Sequence, residues 1–122
     1  MSGLEGKLVF LSGPVSDPVR ECEWNRFLAA ERTCLRMWAK FVFNPLRGVT
    51  AQATHEEAMS VCLAELTARH LTPSGDGRET VYDLLVSLPG WEGSAGARLE
   101  RAVAEAIGIP CAELGELGGE RK

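Results

Sequence analysis

The part of the sequence that decides the fold is LLVSLPGWEGSAGARLE, residues 84–100. The apolar residues 84–88 are typical of a parallel strand covered on both faces, and Pro89-Gly90 ends that strand. Ser94 is well placed to cap a following helix, because its hydroxyl can accept a backbone N–H of the first turn. The stretch therefore predicts a strand, a sharp turn and a helix, with the carboxylate of Glu100 in the second helical turn.

The start of this predicted helix is also a candidate ligand site. The first N–H groups of a helix have no intrahelical acceptor and carry partial positive charge, so they suit an anion such as phosphate. A strand-to-helix turn at the carboxyl edge of a parallel sheet is where open α/β folds bind ligands. We therefore expect a binding cleft beside Ser94 and Glu100.

The rest of the chain alternates between short apolar runs and longer helical patterns. Strands are predicted at residues 7–12, 41–43, 82–88 and 109–113, and helices at 17–38, 54–69 and 94–107. Asp17 before Pro18 is a plausible start for the first helix, and Thr54 with Glu57 forms a capping-box pattern for the second. Residues 46–53 and 71–80 are predicted to be loops, the latter mobile and polar, and residues 114–122 a frayed tail.

This alternation predicts the α/β class: one flavodoxin- or Rossmann-like three-layer domain spanning residues 1–122. Right-handed crossovers give a parallel sheet of four strands, or five, in the order 2-1-3-4. The switch point then lies between the first and third strands. The loop at Ser12-Gly13-Pro14 would face the turn at residues 89–94 across one cleft.

The helical periodicity also predicts which faces are buried. In the first helix the expected inward residues are Trp24, Phe27, Leu28, Leu35 and Trp38, and in the second Ala58, Met59, Cys62, Leu63 and Leu66. In the third helix Leu99, Val103 and Ala106 form the apolar stripe, with Glu100 at its edge.

Composition limits the range of partners. With 13 basic and 17 acidic residues the formal charge is −4, which argues against a nucleic-acid polymer or an anionic membrane as the partner. No apolar run approaches the roughly 20 residues that a membrane span needs, and the N-terminus has no signal pattern, so we expect a cytoplasmic protein. The four cysteines form no C-x-x-C pair, so free thiols and no metal are expected.

Each candidate site residue also has a purely structural explanation. Glu100 is either a solvated surface glutamate or a partly desolvated carboxylate that reaches the cleft. Ser94 is a helix cap or also a phosphate ligand, and Arg98 is exposed or reaches the same phosphate. The remaining candidates are residues that shape turns or approach a ligand, namely Gly13, Gly90, Asn44 and Trp91.

Three pieces in order, Leu11-Ser12-Gly13-Pro14, Phe43-Asn44-Pro45, and Asp83 followed by LPGWExSxGAxxE at residues 88–100, carry a family resemblance. They resemble the nucleoside 2-deoxyribosyltransferase-like superfamily, and most closely a small branch found in bacteria and phages. The resemblance covers about residues 7–112, and its most specific part is the segment from Leu88 to Glu100.

The resemblance implies glycosidic chemistry with no cofactor. In such proteins the glutamate that matches Glu100 attacks the anomeric carbon of a ribose or deoxyribose, the base leaves, and water or another base replaces it. A serine at the position of Ser94 goes with binding of a 5′-phosphate, with Ser12 and Gly13 nearby. The resemblance also implies a homodimer or a higher homo-oligomer.

One position departs from the family pattern. Members of the superfamily carry a second carboxylate three residues after a methionine on the preceding helix, and counting from Met59 gives Cys62 here. Glu65, one turn further on, is the candidate substitute as second catalytic residue. A neutral thiol does no acid–base work for a carboxylate near neutral pH. The sequence thus supports three hypotheses: an N-glycosidase acting on a nucleoside or its 5′-monophosphate, a non-catalytic nucleotide-binding module, or a structural partner protein whose cleft is vestigial.

Overall fold

The computed structural model describes residues 3–16, 19–48 and 53–118. The elements, in chain order, are β1 (Leu8–Ser12), α1 (Glu21–Arg36), β2 (Phe41–Phe43), α2 (Pro45–Gly48), α3 (His55–Leu66), β3 (Arg69–Leu71), β4 (Arg78–Thr80), β5 (Leu84–Ser87), α4 (Ala95–Ala106), β6 (Cys111–Glu113) and α5 (Leu114–Gly118). A single 3-10 turn, Trp91–Gly93, joins β5 to α4.

Four of the strands form a parallel sheet in the order β2-β1-β5-β6. This is the predicted order 2-1-3-4, with β5 and β6 as the third and fourth predicted strands. β1 and β5 are central, and Ser12 at the end of β1 pairs with Ser87 at the end of β5. The predicted α/β fold class is therefore confirmed, and the carboxyl ends of the two central strands meet at one edge of the sheet.

Apolar residues pack on both faces of this sheet and give the domain three layers. On one face α1 contributes Phe27, Ala30 and Cys34 to a core with Val9 and Leu11 of β1. On the other face Cys62 and Leu66 of α3 and Ala104 of α4 pack with Phe10, Tyr82 and Leu85. The strands are buried on both faces, which explains their unbroken apolar runs.

The buried face of α1 differs from the prediction. Phe27 is buried as expected, but Trp24 is 36% exposed, Leu35 44% and Trp38 68%. The helix instead buries Glu23, Ala30 and Cys34 beside Phe27. It begins at Glu21 and ends at Arg36, whereas the predicted start at Asp17 and Pro18 lies outside the described residues.

The buried face of α4 also differs, and it changes the position of the key carboxylate. Leu99 is 47% exposed, whereas Ala97, Glu100 and Ala104 are buried. Glu100 is thus at the centre of the buried face and not at the edge of an apolar stripe. The two alanines beside it are short, so α4 can lie close to the sheet and bring the carboxylate to the end of β1.

Three predicted loops or tails have regular structure. Residues 69–71 and 78–80 form an antiparallel hairpin, with Arg69 opposite Thr80 and Leu71 opposite Arg78, where a mobile loop was predicted. The predicted loop after β2 begins with the one-turn helix α2, and the predicted frayed tail begins with α5. Because the hairpin starts at Arg69, α3 ends at Leu66 and not at residue 69.

Within the described ranges, the structure has no helix of the length and apolarity that a membrane crossing requires.

Candidate functional site

A cavity of about 580 Å³ opens at the carboxyl edge of the sheet. It is lined by residues that follow β1, β2 and β5, among them Gly13, Pro45 and Ser94, together with the first two turns of α3 and α4. The predicted cleft is therefore present, and it contains three of the predicted site residues, Gly13, Ser94 and Glu100.

Glu100 is the buried acid of this cavity. Its side chain lines the cavity, yet the residue is only 6% exposed. Its Oε1 accepts a hydrogen bond of 2.5 Å from the hydroxyl of Ser12, which is itself buried at the end of β1. The strand end and the helix thus fix the carboxylate between them, and Ser12, which is predicted to bind ligand, donates to Glu100.

Burial controls the ionisation of Glu100. It raises the pKa of this carboxyl from the ordinary 4.5 to about 7, and the hydrogen bond from Ser12 opposes the rise without cancelling it. A carboxyl with this pKa is close to half ionised at neutral pH. Carboxylic groups with raised pKa values in clefts are candidates for nucleophilic or acid–base chemistry.

The cap of α4 explains why Glu100 lies near the start of that helix. Ser94 Oγ accepts the backbone N–H of Ala97 at 3.2 Å, as predicted for an N-cap. Ser94, Gly96 and Ala97 all line the cavity, so the positive end of the helix dipole faces it. Gly96 keeps this end close to α3, because a Cβ there would lie 3.0 Å from Met59 Sδ.

Cys62 stands where a second carboxylate was expected. The thiol lines the cavity, and burial, with the charges of Glu100 and Glu65, raises its pKa to about 12. It is therefore a neutral thiol throughout the physiological range. Glu65, the predicted substitute, accepts a hydrogen bond from the hydroxyl of Tyr82 and is absent from the described lining of the cavity.

Asn44, Arg98, Trp91 and Gly90 lie outside the described cavity lining. Asn44 donates to Glu31 at 3.0 Å and accepts the N–H of Leu46, so it shapes the turn after β2. Arg98 donates to the carbonyl of Glu92 at 2.7 Å and is exposed.

Trp91 and Gly90 belong to the turn after β5. The indole of Trp91 stacks with the guanidinium of Arg101 at 4.5 Å, while its Nε1 is buried with no hydrogen-bond partner among the described residues. Gly90 has φ +88°, a left-handed conformation that the turn needs and that glycine adopts without strain. Neither residue meets the ligand cavity in this structure.

Sequence reasoning did not place Trp24 or His55 in the cavity. Trp24 was assigned to the apolar core but lines the cavity, and His55 lines it from the first turn of α3. For both residues, the topology of the chain could have indicated the position. α1 follows β1 and α3 follows β2, and helices that follow parallel strands start at the carboxyl edge.

Glu23 is a third missed residue, and it holds the loop that borders the cavity. It is only 2% exposed and accepts hydrogen bonds from the hydroxyl of Ser16 at 2.7 Å, the N–H of Ser16, and the N–H of Arg20 at 3.0 Å. Burial raises its pKa, but these hydrogen bonds and the charge of Arg20 outweigh burial and lower it to about 2. The carboxylate stays ionised and fixes Ser16, which lines the cavity.

Among the residues that the structure describes, no three His, Cys, Asp or Glu side chains are grouped so as to hold a metal ion. All four cysteines are free.

Together the fold and the cavity define a class: a small α/β domain with a Rossmann-like parallel sheet and a ligand-sized cavity at its carboxyl edge. Residues 77–113 match the model of a family described as a domain of unknown function, DUF4406. That segment is less than a third of the chain; it includes Ser94 and Glu100 but neither Ser12 nor Cys62. The chain has no significant match among curated proteins. The resemblance to nucleoside 2-deoxyribosyltransferases stays a prediction.

Proposed function

We propose that the protein is an N-glycosidase that cleaves the bond between sugar and base in a nucleoside 5′-monophosphate or a nucleoside, by hydrolysis or base exchange. The observation that carries this proposal is the buried carboxylate of Glu100 facing a cavity of about 580 Å³. Pockets that enclose small ligands fall in this size range. A carboxylate at such a place can attack an anomeric carbon and form a glycosyl ester.

In this proposal Ser12 positions the nucleophile. Its hydroxyl donates to Oε1 of Glu100, which leaves Oε2 for attack on C1′ of the sugar. Burial keeps the carboxylate away from bulk water, where it would be better solvated and less reactive. As the sugar develops oxocarbenium character, its positive charge lies beside the carboxylate and is stabilised by it.

The phosphate of a monophosphate has a suitable place at the start of α4. This helix has 12 residues, and its first-turn residues Gly96 and Ala97 line the cavity with the cap Ser94. The N–H of Ala97 is donated to Ser94 Oγ, and the first N–H groups of such a helix end that the cap does not satisfy bind phosphate. Trp24 lies on α1 and lines the same cavity. Its indole offers a surface on which a ring can stack.

A second function is favoured by a specific observation, the neutral thiol of Cys62 beside Glu100. If the missing carboxylate is required for turnover, the cavity binds a nucleotide without cleaving it. Calorimetry that shows tight binding, together with the absence of released base, would support this function.

The homodimer that the resemblance implies is part of the proposed function, and light scattering tests it.

The test is base release, measured by chromatography, from a panel of nucleosides and their 5′-monophosphates that includes both neutral and cationic bases. We expect release from at least one compound and a loss of roughly a thousandfold or more in Glu100→Gln, which keeps the shape and the acceptor for Ser12 but cannot attack. Glu105→Gln is the matched control, because Glu105 lies on the same helix with a side chain 61% exposed. Release that persists in Glu100→Gln, or no release and no binding, would refute the proposal.

A further inference from the structure

The groups around Glu100 restrict the kind of base that can leave. When the bond from C1′ to a neutral base breaks, the electron pair stays on the base nitrogen, and the base departs as an anion unless an acid protonates it. Glycosidases therefore use two carboxyl groups, one to attack and one to donate the proton. In the described part of this cavity Glu100 is the one carboxyl group.

The neighbours of Glu100 are poor proton donors. The Cys62 thiol is buried and holds its proton strongly, and Glu65 is engaged by the hydroxyl of Tyr82. His55 lines the cavity, but it is seven residues before Cys62 on α3, roughly 10 Å along the helix axis. The position next to the reacting carboxylate is thus occupied by a neutral group.

The described lining of the cavity holds one acidic side chain. The described lining contains the carboxylate of Glu100 and neither lysine nor arginine. Most of the remaining lining is apolar, including Val15, Val19, Leu46 and Met59. A buried carboxylate without a basic partner attracts a cation more strongly than an exposed one does. Trp24 also lines the cavity, and aromatic rings attract cations at their faces, which carry negative potential.

Resting on the proposed function, we propose that the substrate is a cationic N-glycoside, whose leaving base is a positively charged heteroaromatic ring such as a pyridinium. Glu100 attacks C1′, the C1′–N bond breaks, and its electron pair neutralises the ring, which leaves without needing a proton. Water then attacks C1′ of the glycosyl ester and the carboxylate is released. The sum is cationic glycoside plus water giving sugar, neutral base and one proton, which passes to the solvent.

The experiment uses a matched pair of probes. β-Nicotinamide mononucleotide has a cationic pyridinium ring, and its reduced dihydropyridine form is neutral and of similar shape. The four common 5′-monophosphates extend the neutral set. We expect kcat/KM for the cationic probe to exceed that for every neutral one by at least a hundredfold, and to fall roughly a thousandfold in Glu100→Gln.

The pH profile provides an independent readout. With a leaving group that needs no proton, kcat/KM rises once as Glu100 ionises and then stays level to about pH 9, through the range in which a histidine acid would lose its proton. A bell-shaped profile would overturn the inference, because it reveals a general acid. If neutral nucleotides release base faster than the cationic probe, and Glu100→Gln abolishes that release, the inference of a cationic substrate is overturned while the glycosidase proposal stands. No release from any probe would overturn both.

Discussion

The side chain of Glu100 has one described hydrogen-bond partner, Ser12, and this explains much of its chemistry. Glu23 also has little exposed surface but lies nearer the protein surface and has several donors, and the two carboxyls have opposite pKa shifts, to about 7 and about 2. Burial raises both pKa values; the number of hydrogen bonds to the charged form decides the outcome. A carboxyl that is surrounded by donors is structural, whereas one that is left with a single hydroxyl is available for a ligand.

Trp38 has a backbone conformation that is unusual for its residue type. It follows the C-cap of α1 with φ 72°, where helices commonly place glycine, and its side chain is 68% exposed. Trp38→Gly removes the strain of a left-handed non-glycine residue and loses little packing. We therefore expect the free energy of unfolding to rise by about 1 kcal/mol. Chemical denaturation measures this.

The matched control is Trp38→Ala, which removes the same indole but keeps a Cβ at the strained position. We expect it to be no more stable than the natural protein. Equal stability of the glycine and alanine variants would show that the conformation of Trp38 carries no strain.

At the level of elements, the sequence predicted the four strands of the parallel sheet, but it misplaced the buried faces of α1 and α4. Apolar runs such as residues 8–11 and 84–86 are typical of central strands, and the capping patterns at Thr54 and Ser94 locate two helix starts. On α4, however, periodicity selected Leu99 as buried, whereas Glu100 is. A buried carboxylate at a core position reverses the usual pattern, so hydrophobicity misplaces the helix face there.

The contacts between distant elements could not be read from the sequence. Asn44 is held by Glu31 of α1, and Glu65 by Tyr82, and each pair depends on how two helices or a helix and a strand pack. The hairpin at residues 69–80 was missed because its strands are short and largely exposed, so they show no buried run. Candidate residues chosen by type alone therefore included several whose side chains have structural partners.

The β1–α1 loop and the end of β5 pack so closely that Gly13 is required. A Cβ at Gly13 would lie 2.8 Å from Leu88 Cβ, an atom next to the backbone that cannot move aside alone. We expect Gly13→Ala to lower the free energy of unfolding by roughly 1–3 kcal/mol and to disturb the cavity wall. Gly93→Ala is the control, since nothing lies within 4 Å of a Cβ there. Equal denaturation midpoints for the two variants would contradict this packing.

For the whole molecule, the two buried glutamates predict how stability depends on pH. Glu23 has a folded pKa of about 2 against an ordinary 4.5, so its contribution is complete above pH 4.5 and is lost as pH falls toward 2. Glu100 has a folded pKa of about 7, so the folded state favours its protonated form. Its ionisation destabilises the fold progressively as pH rises from 4.5 to 7. The Glu100 shift corresponds to about 3 kcal/mol, and the Glu23 shift to less, because solvent screens a group near the surface.

The free energy of unfolding should therefore be greatest near pH 5 and lower on both sides, as measured by urea titrations between about pH 3 and pH 9. Glu100→Gln should remove the alkaline decline, making the variant more stable than the natural protein at about pH 8 but not below pH 4.5, where both forms are neutral. Glu23→Gln should be destabilised above pH 4.5 and approach the natural protein near pH 2. Glu105→Gln, at an exposed position, should follow the natural curve.

A natural protein equally stable at pH 5 and pH 8, with an unchanged curve in Glu100→Gln, would mean that this carboxyl is not buried as described. The same result would remove the basis for its proposed reactivity, because the proposal depends on a buried carboxylate that bulk water does not solvate.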